Sequence, residues 1–170
     1  MSMNKHGIIP IMNVAENSAA YIKLLLEAEP RCISHSDSIG CNLAHYNPLA
    51  IRWHPELAAT TDQLGRYPIH TAAINHSCLI DYFFEYSPDN VDCLDHHQRN
   101  ALHYAVQQQT VMPESFDDIK HELKLANDEP MITTLKDHTD VIDELIHAYP
   151  HMLTQKDKDG KQPIDYATED

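Results

Sequence analysis

The sequence predicts an all-α solenoid, a stack of similar helical units, because one frame of residues recurs along it. In each unit a proline is followed after seven residues by aspartate, after ten by glycine or glutamine, and then by a short apolar cluster. Self-similarity at a fixed spacing is the signature of repeat architectures. The frame is most complete as Pro55, Asp62, Gly65 and Pro68-Ile69-His70; as Pro88, Asp95, Gln98 and Ala101-Leu102-His103; and as Pro150, Asp157, Gly160 and Pro163-Ile164-Asp165.

Each part of the frame predicts one structural element. Asp-x-x-Gly predicts a tight turn, because aspartate bonds its own backbone and glycine reaches positive φ without steric cost. The next proline suits the first position of a helix, where its missing N–H costs nothing. Ile11, Ile69, Leu102 and Ile164 are then expected to point inward. A second helix should follow with an apolar stripe at i, i+3 and i+4, formed by Ile22, Leu25 and Leu26; by Ile80, Phe83 and Phe84; and by Ile142, Leu145 and Ile146.

Weaker versions of the frame extend the stack toward the N-terminus, at Pro30, Asp37 and Gly40 and again at Gly7. The best-formed unit, 62–73 with Asn75-His76 after it, resembles the D-x-x-G-x-T-P-L-H-x-A-A…G-H pattern of ankyrin repeats. The resemblance covers about 140 of the 170 residues. It implies an ankyrin-repeat solenoid of about four repeats plus a C-terminal half-repeat, with a helical insertion in the fourth repeat.

The chain departs from the family pattern where its helices begin. The capping threonine is replaced by Ile9, Tyr67 and Gln162, whereas Asn42 and Asn100 can still cap. A lost cap costs about 1 kcal/mol per helix. We therefore expect individual repeats to be soft.

The frame predicts a single domain that spans residues 1–170 and consists of consecutive repeats. They are placed at about 6–36, 37–61, 62–94 and 95–156, with a half-repeat at 157–170 and the insertion at about 109–137. The second repeat is short, so we expect it to have lost most of one helix, with a bend or thin spot that Trp53 fills. The insertion either folds back over the fourth repeat or binds a partner. The half-repeat either caps the stack or leads into further sequence.

Composition and charge limit the classes of partner. Apolar residues make up 42% of the chain and charged residues 22%, which suits a folded protein. No apolar run approaches the length of a membrane span. The formal net charge of −14 argues against binding to nucleic acid or to an anionic membrane. It favours a protein partner with a basic surface, although it also serves solubility. Four cysteines without CxxC spacing indicate reduced thiols and a cytoplasmic location.

No pattern in the sequence indicates catalysis or a cofactor. The four glycines all belong to the repeat frame, and no phosphate loop or nucleophile motif is present. His45, His70 and His103 occupy the histidine position of the family motif, where the resemblance implies a hydrogen bond to turn backbone. A metal site built from Cys93, His96 and His97 matches no standard spacing. We therefore expect no enzyme activity, no metal and no cofactor.

The resemblance implies a protein-interaction module that binds through its turn tips and the exposed side of its first helices. A monomer is expected. One alternative is the targeting or regulatory part of a larger enzyme, such as a bacterial effector acting in the host cytoplasm; another is histidine-based pH sensing. The predicted partner-binding residues are Ile39, Gln63, Leu64, Arg66, Ile74, His96, His97, Arg99 and Gln107.

Overall fold

The computed structural model describes residues 3–13, 19–75, 79–107 and 138–167. These residues form short helices joined by turns, and no strand occurs among them. The α-helices are α1 (Ala19–Ala28), α2 (Leu43–Tyr46), α3 (Pro68–Ile74), α4 (Asp81–Tyr86), α5 (Ala101–Val106), α6 (His138–Ala148) and α7 (Pro163–Tyr166). Within the described ranges six 3-10 helices, each beginning at a proline, span Pro10–Asn13, Pro30–Cys32, Pro48–Arg52, Pro55–Ala59, Pro88–Asn90 and Pro150–Thr154. The predicted insertion at about 109–137 lies outside the described residues.

The units stack in chain order through their first helices. The helix α2 packs against the 3-10 helix Pro10–Asn13 and against α3, α3 packs against α5, and α5 packs against α7. The second helices lie behind them, where the 3-10 helix Pro48–Arg52 contacts both α1 and α4. This arrangement is the predicted helical stack. The number of repeats and their boundaries remain predictions.

The frame forms its turns and caps as predicted. Gly7, Gly40, Gly65 and Gly160 all have φ between 76° and 88°, the left-handed region that favours glycine. Gln98, at the glycine position of its unit, adopts φ 63° in the same region. Asparagine caps two helices: the Asn42 side chain accepts from the N–H groups of Ala44 and His45, and Asn100 accepts from that of His103. No side-chain cap hydrogen bond forms at Tyr67 or Gln162.

The inward-pointing position of the frame is buried in every described unit except the last. Ile11, Ile69 and Leu102 lie in the core, with Ile69 completely buried. Ile164 is 58% exposed, so the expectation that it points inward is wrong. The physical reason is the absence of a described unit on the outer side of α7, where the space around Gly160 is open as well.

The apolar stripes of the second helices face the core. Ile22, Leu26, Phe83 and Leu145 are buried, and Val141 joins them although the pattern did not single it out. Leu25, Phe84, Ile142 and Ile146 are half-buried against the same core. Ile80 is buried too, although it lies just before the first residue of α4.

The short second repeat replaces its second α-helix with two 3-10 helices, Pro48–Arg52 and Pro55–Ala59. Leu49, Ala50 and Ile51 are buried, so the hydrophobic core continues through this repeat, and the bend or thin spot stays a prediction. Trp53 is half-buried and packs against that core. Proline at the start of each 3-10 helix fixes φ and allows a compact path in few residues.

Candidate protein-interaction surface

Each turn tip is built around one side-chain oxygen that accepts two backbone N–H groups. Asp62 Oδ1 accepts from Leu64 N and Arg66 N at 2.9 Å each. Asp37, Asp95 and Asp157 bind the second and fourth residues after them in the same way. Asn4 does so in the first unit, toward His6 and Ile8 at 2.9 and 3.0 Å. The sequence pattern missed Asn4 because the pattern requires aspartate, although Asn4 lies three positions before Gly7 as Asp62 does before Gly65.

Backbone hydrogen bonds join each tip to the next. The donor is the residue after the frame aspartate, and the acceptor is the carbonyl of the residue before the frame glycine, or before Gln98, in the preceding unit. The bonds run from Ser38 N to His6 O (3.0 Å), Gln63 N to Ile39 O (2.9 Å), His96 N to Leu64 O (3.4 Å) and Lys158 N to His97 O (2.9 Å). We call this series the tip ladder. It holds the tips in fixed register although they are turns.

Buried histidines brace the ladder from below. The Nε2 atoms of His45, His70 and His103 lie 3.0, 3.0 and 3.3 Å from the carbonyl oxygens of Arg66, Cys93 and Lys161, at or just before the next turn tip, which confirms the predicted bonds to turn backbone. Each Nδ1 accepts a backbone N–H at the start of its own helix. At His70 this pattern requires the neutral imidazole. Burial lowers the pKa of all three, that of His70 to about 4.

The second oxygen of each frame aspartate binds a buried or half-buried side chain. Tyr46 donates to Asp37 and Tyr166 to Asp157, each at 2.5 Å, and Tyr104 donates to Asp95. In the unit of Asp62 the tyrosine position holds Thr71 instead, and Arg66 occupies the carboxylate, with Nε 2.7 Å from Oδ2. A tyrosine nine residues after the frame aspartate therefore indicates, in the sequence, which side chain binds the second carboxylate oxygen.

Two predicted site residues are not exposed. Arg66 is 1% exposed because its guanidinium pairs with Asp62 beneath the tip. Ile74, the last residue of α3, is 8% exposed and belongs to the core between α2 and α5. The expectation that these side chains face a partner is wrong for both.

Two further predicted residues are half-buried. The Arg99 guanidinium donates to Tyr166 Oη at 2.9 Å and to Asp157 Oδ2 at 3.3 Å, so it links two units. Gln107 follows α5, and its Oε1 atom is buried. Neither side chain is displayed at a tip.

The remaining five predicted residues lie together on adjacent rungs of the ladder. Gln63, His96 and His97 are exposed, Leu64 is 41% exposed and Ile39 is half-buried. Gln63 Nε2 donates to Ser38 O at 3.0 Å, and the His96 ring lies directly over Gly65. We call Ile39, Gln63, Leu64, His96 and His97 the tip patch. It offers an amide, two imidazoles and an apolar centre on a rigid base, which suits hydrogen bonding and apolar contact with another protein.

The described residues offer little for catalysis or metal binding. Burial raises the pKa of the Cys32, Cys41 and Cys93 thiols, which disfavours the reactive thiolate. Within the described ranges no three His, Cys, Asp or Glu side chains are grouped to hold a metal ion. Nor does any described helix have the length and apolar character needed to cross a membrane.

Comparison with solved structures identifies the architecture. No model of a known protein family and no curated protein matches the sequence. The ankyrin repeat protein EF0377 superposes with a TM-score of 0.66 at 17% identity, covering 98% of this chain and 77% of its own. A chain from the complex of the Bd0816 predatory endopeptidase of Bdellovibrio bacteriovorus with immunity protein Bd3460 gives 0.56 at 16% identity, covering 99% and 77%. At such identities the likeness concerns the fold: the chain has an ankyrin-like fold, as its sequence predicts.

Proposed function

We propose that this chain is a non-catalytic protein-interaction module that binds a partner protein through the tip patch. The observation that carries the proposal is the tip ladder, which holds exposed side chains of two neighbouring units in fixed register. Rigid presentation reduces the entropy lost on binding. An ankyrin-like fold is typically non-catalytic and suggests a protein-interaction role.

The partner is a protein with a basic surface, and the chain acts as a monomer in the cytoplasm. The net charge of −14 supports the basic partner, because opposite charge accelerates encounter and like charge repels a second copy. The structural neighbour from an endopeptidase–immunity protein complex supports a protein as the class of ligand.

Affinity capture with quantitative mass spectrometry tests the tip patch. The double variant Leu64→Asp, His97→Glu places charge on its apolar centre without touching the core, and we expect capture of the partner to fall at least tenfold (about 1.4 kcal/mol). Leu24→Asp with His147→Glu is the matched control, since it makes the same two changes at exposed side chains of α1 and α6, outside the tip patch. Equal capture by both variants and the native chain would place the binding surface elsewhere.

A second candidate is the regulatory ankyrin part of a larger enzyme, including an effector that acts in a host cell. The observation that favours it is the enzyme in one neighbouring complex. If this function holds, the open reading frame that encodes this chain should also encode a catalytic domain, whose activity or choice of substrate changes when residues 1–170 are deleted. An open reading frame without a catalytic domain would reject it.

A further inference from the structure

The face of the stack formed by α4 has a distinctive charge. No lysine or arginine occurs between Arg66 and Arg99, nor within residues 138–155. Acidic side chains on or beside α4 are exposed, namely Asp81, Glu85, Asp89 and Asp92. A cation from another molecule would therefore meet no competing lysine or arginine within these two segments.

The same helix displays aromatic rings held by the core. Tyr82 and Tyr86 stack on each other with ring centroids 5.7 Å apart, on one side of the exposed pair Asp81 and Glu85. On the other side, Phe84 lies 5.9 Å from the ring of Tyr149. These rings are half-buried against the hydrophobic core, beside the fully buried Phe83. They are fixed platforms, and fixed aromatic rings are the anchors that binding surfaces favour.

An arginine on the 3-10 helix next to α4 lies over an aromatic ring. The Arg52 guanidinium lies 5.7 Å from the centre of the Trp53 ring. Arg52 ends the 3-10 helix that packs against α4, and its charge acts on Tyr86, where it partly opposes the rise in phenol pKa caused mainly by Glu85. A guanidinium over an aromatic ring thus occurs on the 3-10 helix that packs against α4.

We propose that the α4 face, made of Asp81, Tyr82, Phe84, Glu85 and Tyr86, binds an arginine-containing basic segment of a partner protein. Guanidinium stacks on aromatic rings and pairs with carboxylates in a planar, two-pronged geometry, which ammonium cannot do. The face is separate from the tip patch. It rests on the proposed function in one respect, that the partner is a basic protein, and it names the chemistry by which that partner is recognised.

Three fluorescent peptides of equal length test the inference by anisotropy: alternating arginine and glycine, the same with lysine, and the same with neutral citrulline. We expect the arginine peptide to bind at least about fivefold more tightly than the lysine peptide and the citrulline peptide not to bind. Absence of arginine-peptide binding, or equal binding of the arginine and lysine peptides, would overturn the inference.

Substitutions of the two tyrosines separate stacking of guanidinium on the rings from general attraction between a basic peptide and an acidic protein. Tyr82→Leu with Tyr86→Leu should reduce arginine-peptide binding to the level of the lysine peptide, whereas Tyr82→Phe with Tyr86→Phe should preserve it, because phenylalanine keeps the π face. Urea unfolding of each variant verifies the fold. If the leucine pair folds and still binds the arginine peptide as the native chain does, the rings have no part in recognition.

Charge-matched variants separate the α4 face from the net charge of the whole chain. Asp81→Asn with Glu85→Gln, the two acids of the face, should weaken arginine-peptide binding at least about fivefold. Glu27→Gln with Glu56→Gln removes the same two charges from exposed positions elsewhere, 64% and 65% exposed, and should change it less than about twofold. Equal weakening by both pairs would contradict the assignment to α4.

Because Leu64→Asp, His97→Glu alters only the tip patch, this variant should leave binding of the arginine peptide intact even if capture of the partner is lost.

Discussion

The third unit and the last described unit carry the same frame in different surroundings. In the third, Ile69 is completely buried, Gly65 lies under His96 of the next tip, and Asp62 is paired with the buried Arg66. In the last, Ile164 is 58% exposed, Gly160 has open space around it, and Asp157 is bound by Tyr166 and by Arg99 from the preceding unit. The frame sets the local turn and helix, and the neighbouring unit determines how much stability they contribute, as expected for a one-dimensional stack.

The largest contrast should come from one substitution made in both units. Ile69→Asp places a charge in the core and removes apolar contacts, so we expect a loss of at least about 4 kcal/mol in unfolding free energy. Ile164→Asp adds a charge to an exposed side chain and should change it by less than about 0.5 kcal/mol. Urea unfolding followed by circular dichroism measures both. Similar losses would mean that Ile164 is buried in solution.

The buried ion pair offers the next contrast. Arg66→Leu leaves the Asp62 carboxylate without its cation at a fully buried site, which typically costs about 3–5 kcal/mol. Arg99→Leu should cost about 1 kcal/mol, because Asp157 keeps its bond from Tyr166 and Arg99 is less buried. Differential scanning calorimetry gives the two costs. A larger loss at Arg99 would reverse the assignment of the main electrostatic contact to the third unit.

Acid should weaken the stack through the histidine braces, which the last unit lacks since Asp165 stands at that position. The folded-state pKa of His45, His70 and His103 lies below the ordinary value of 6.5. Above pH 6.5 these rings are neutral in both states and the stability is complete. As pH falls below 6.5, these histidines become protonated in the unfolded chain but stay neutral in the folded chain. Stability is therefore lost as pH falls, down to about pH 4 for His70.

For His70 alone this loss amounts to about 3 kcal/mol. His70→Gln should therefore reduce the slope of unfolding free energy against pH between pH 6.5 and 4.5. The reduction corresponds to as much as one proton taken up on unfolding. Urea titrations at several pH values measure this slope. An unchanged slope would show that His70 is protonated in the folded protein.

The smallest contrast concerns the glycines at the tips. Alanine at either position must adopt positive φ, at a cost of about 1–2 kcal/mol. Gly65→Ala should cost about 1 kcal/mol more than Gly160→Ala, because its Cβ would lie 2.3 Å from the His96 ring, whereas nothing lies within 4 Å at Gly160. Adding His96→Ala to each variant should remove the difference in unfolding free energy. If the difference persists, contact with His96 is not its cause.

Much of the scaffold could be predicted from the sequence because the determinants are local. The turn, the proline start, the asparagine caps and the histidine braces each depend on a few residues at fixed spacing. Two outcomes depended instead on packing between units. The sequence predicts that Arg66 is exposed at the turn tip. Thr71 stands where other units have tyrosine, however, so the Arg66 guanidinium binds the second oxygen of Asp62 instead and is buried. Ile74 reads as a surface residue, yet the helices on both sides of α3 enclose it.

The fixed presentation of the tip patch depends on the tip ladder. Native-state hydrogen exchange by NMR tests it directly at the amides of Ser38, Gln63 and Lys158, whose side chains are exposed but whose N–H groups bind the preceding tip at 2.9–3.0 Å. We expect these amides to exchange far more slowly than unstructured peptide, close to the rate of the adjoining helices. Exchange at the rate of a free loop would contradict the ladder and with it the fixed presentation of the tip patch.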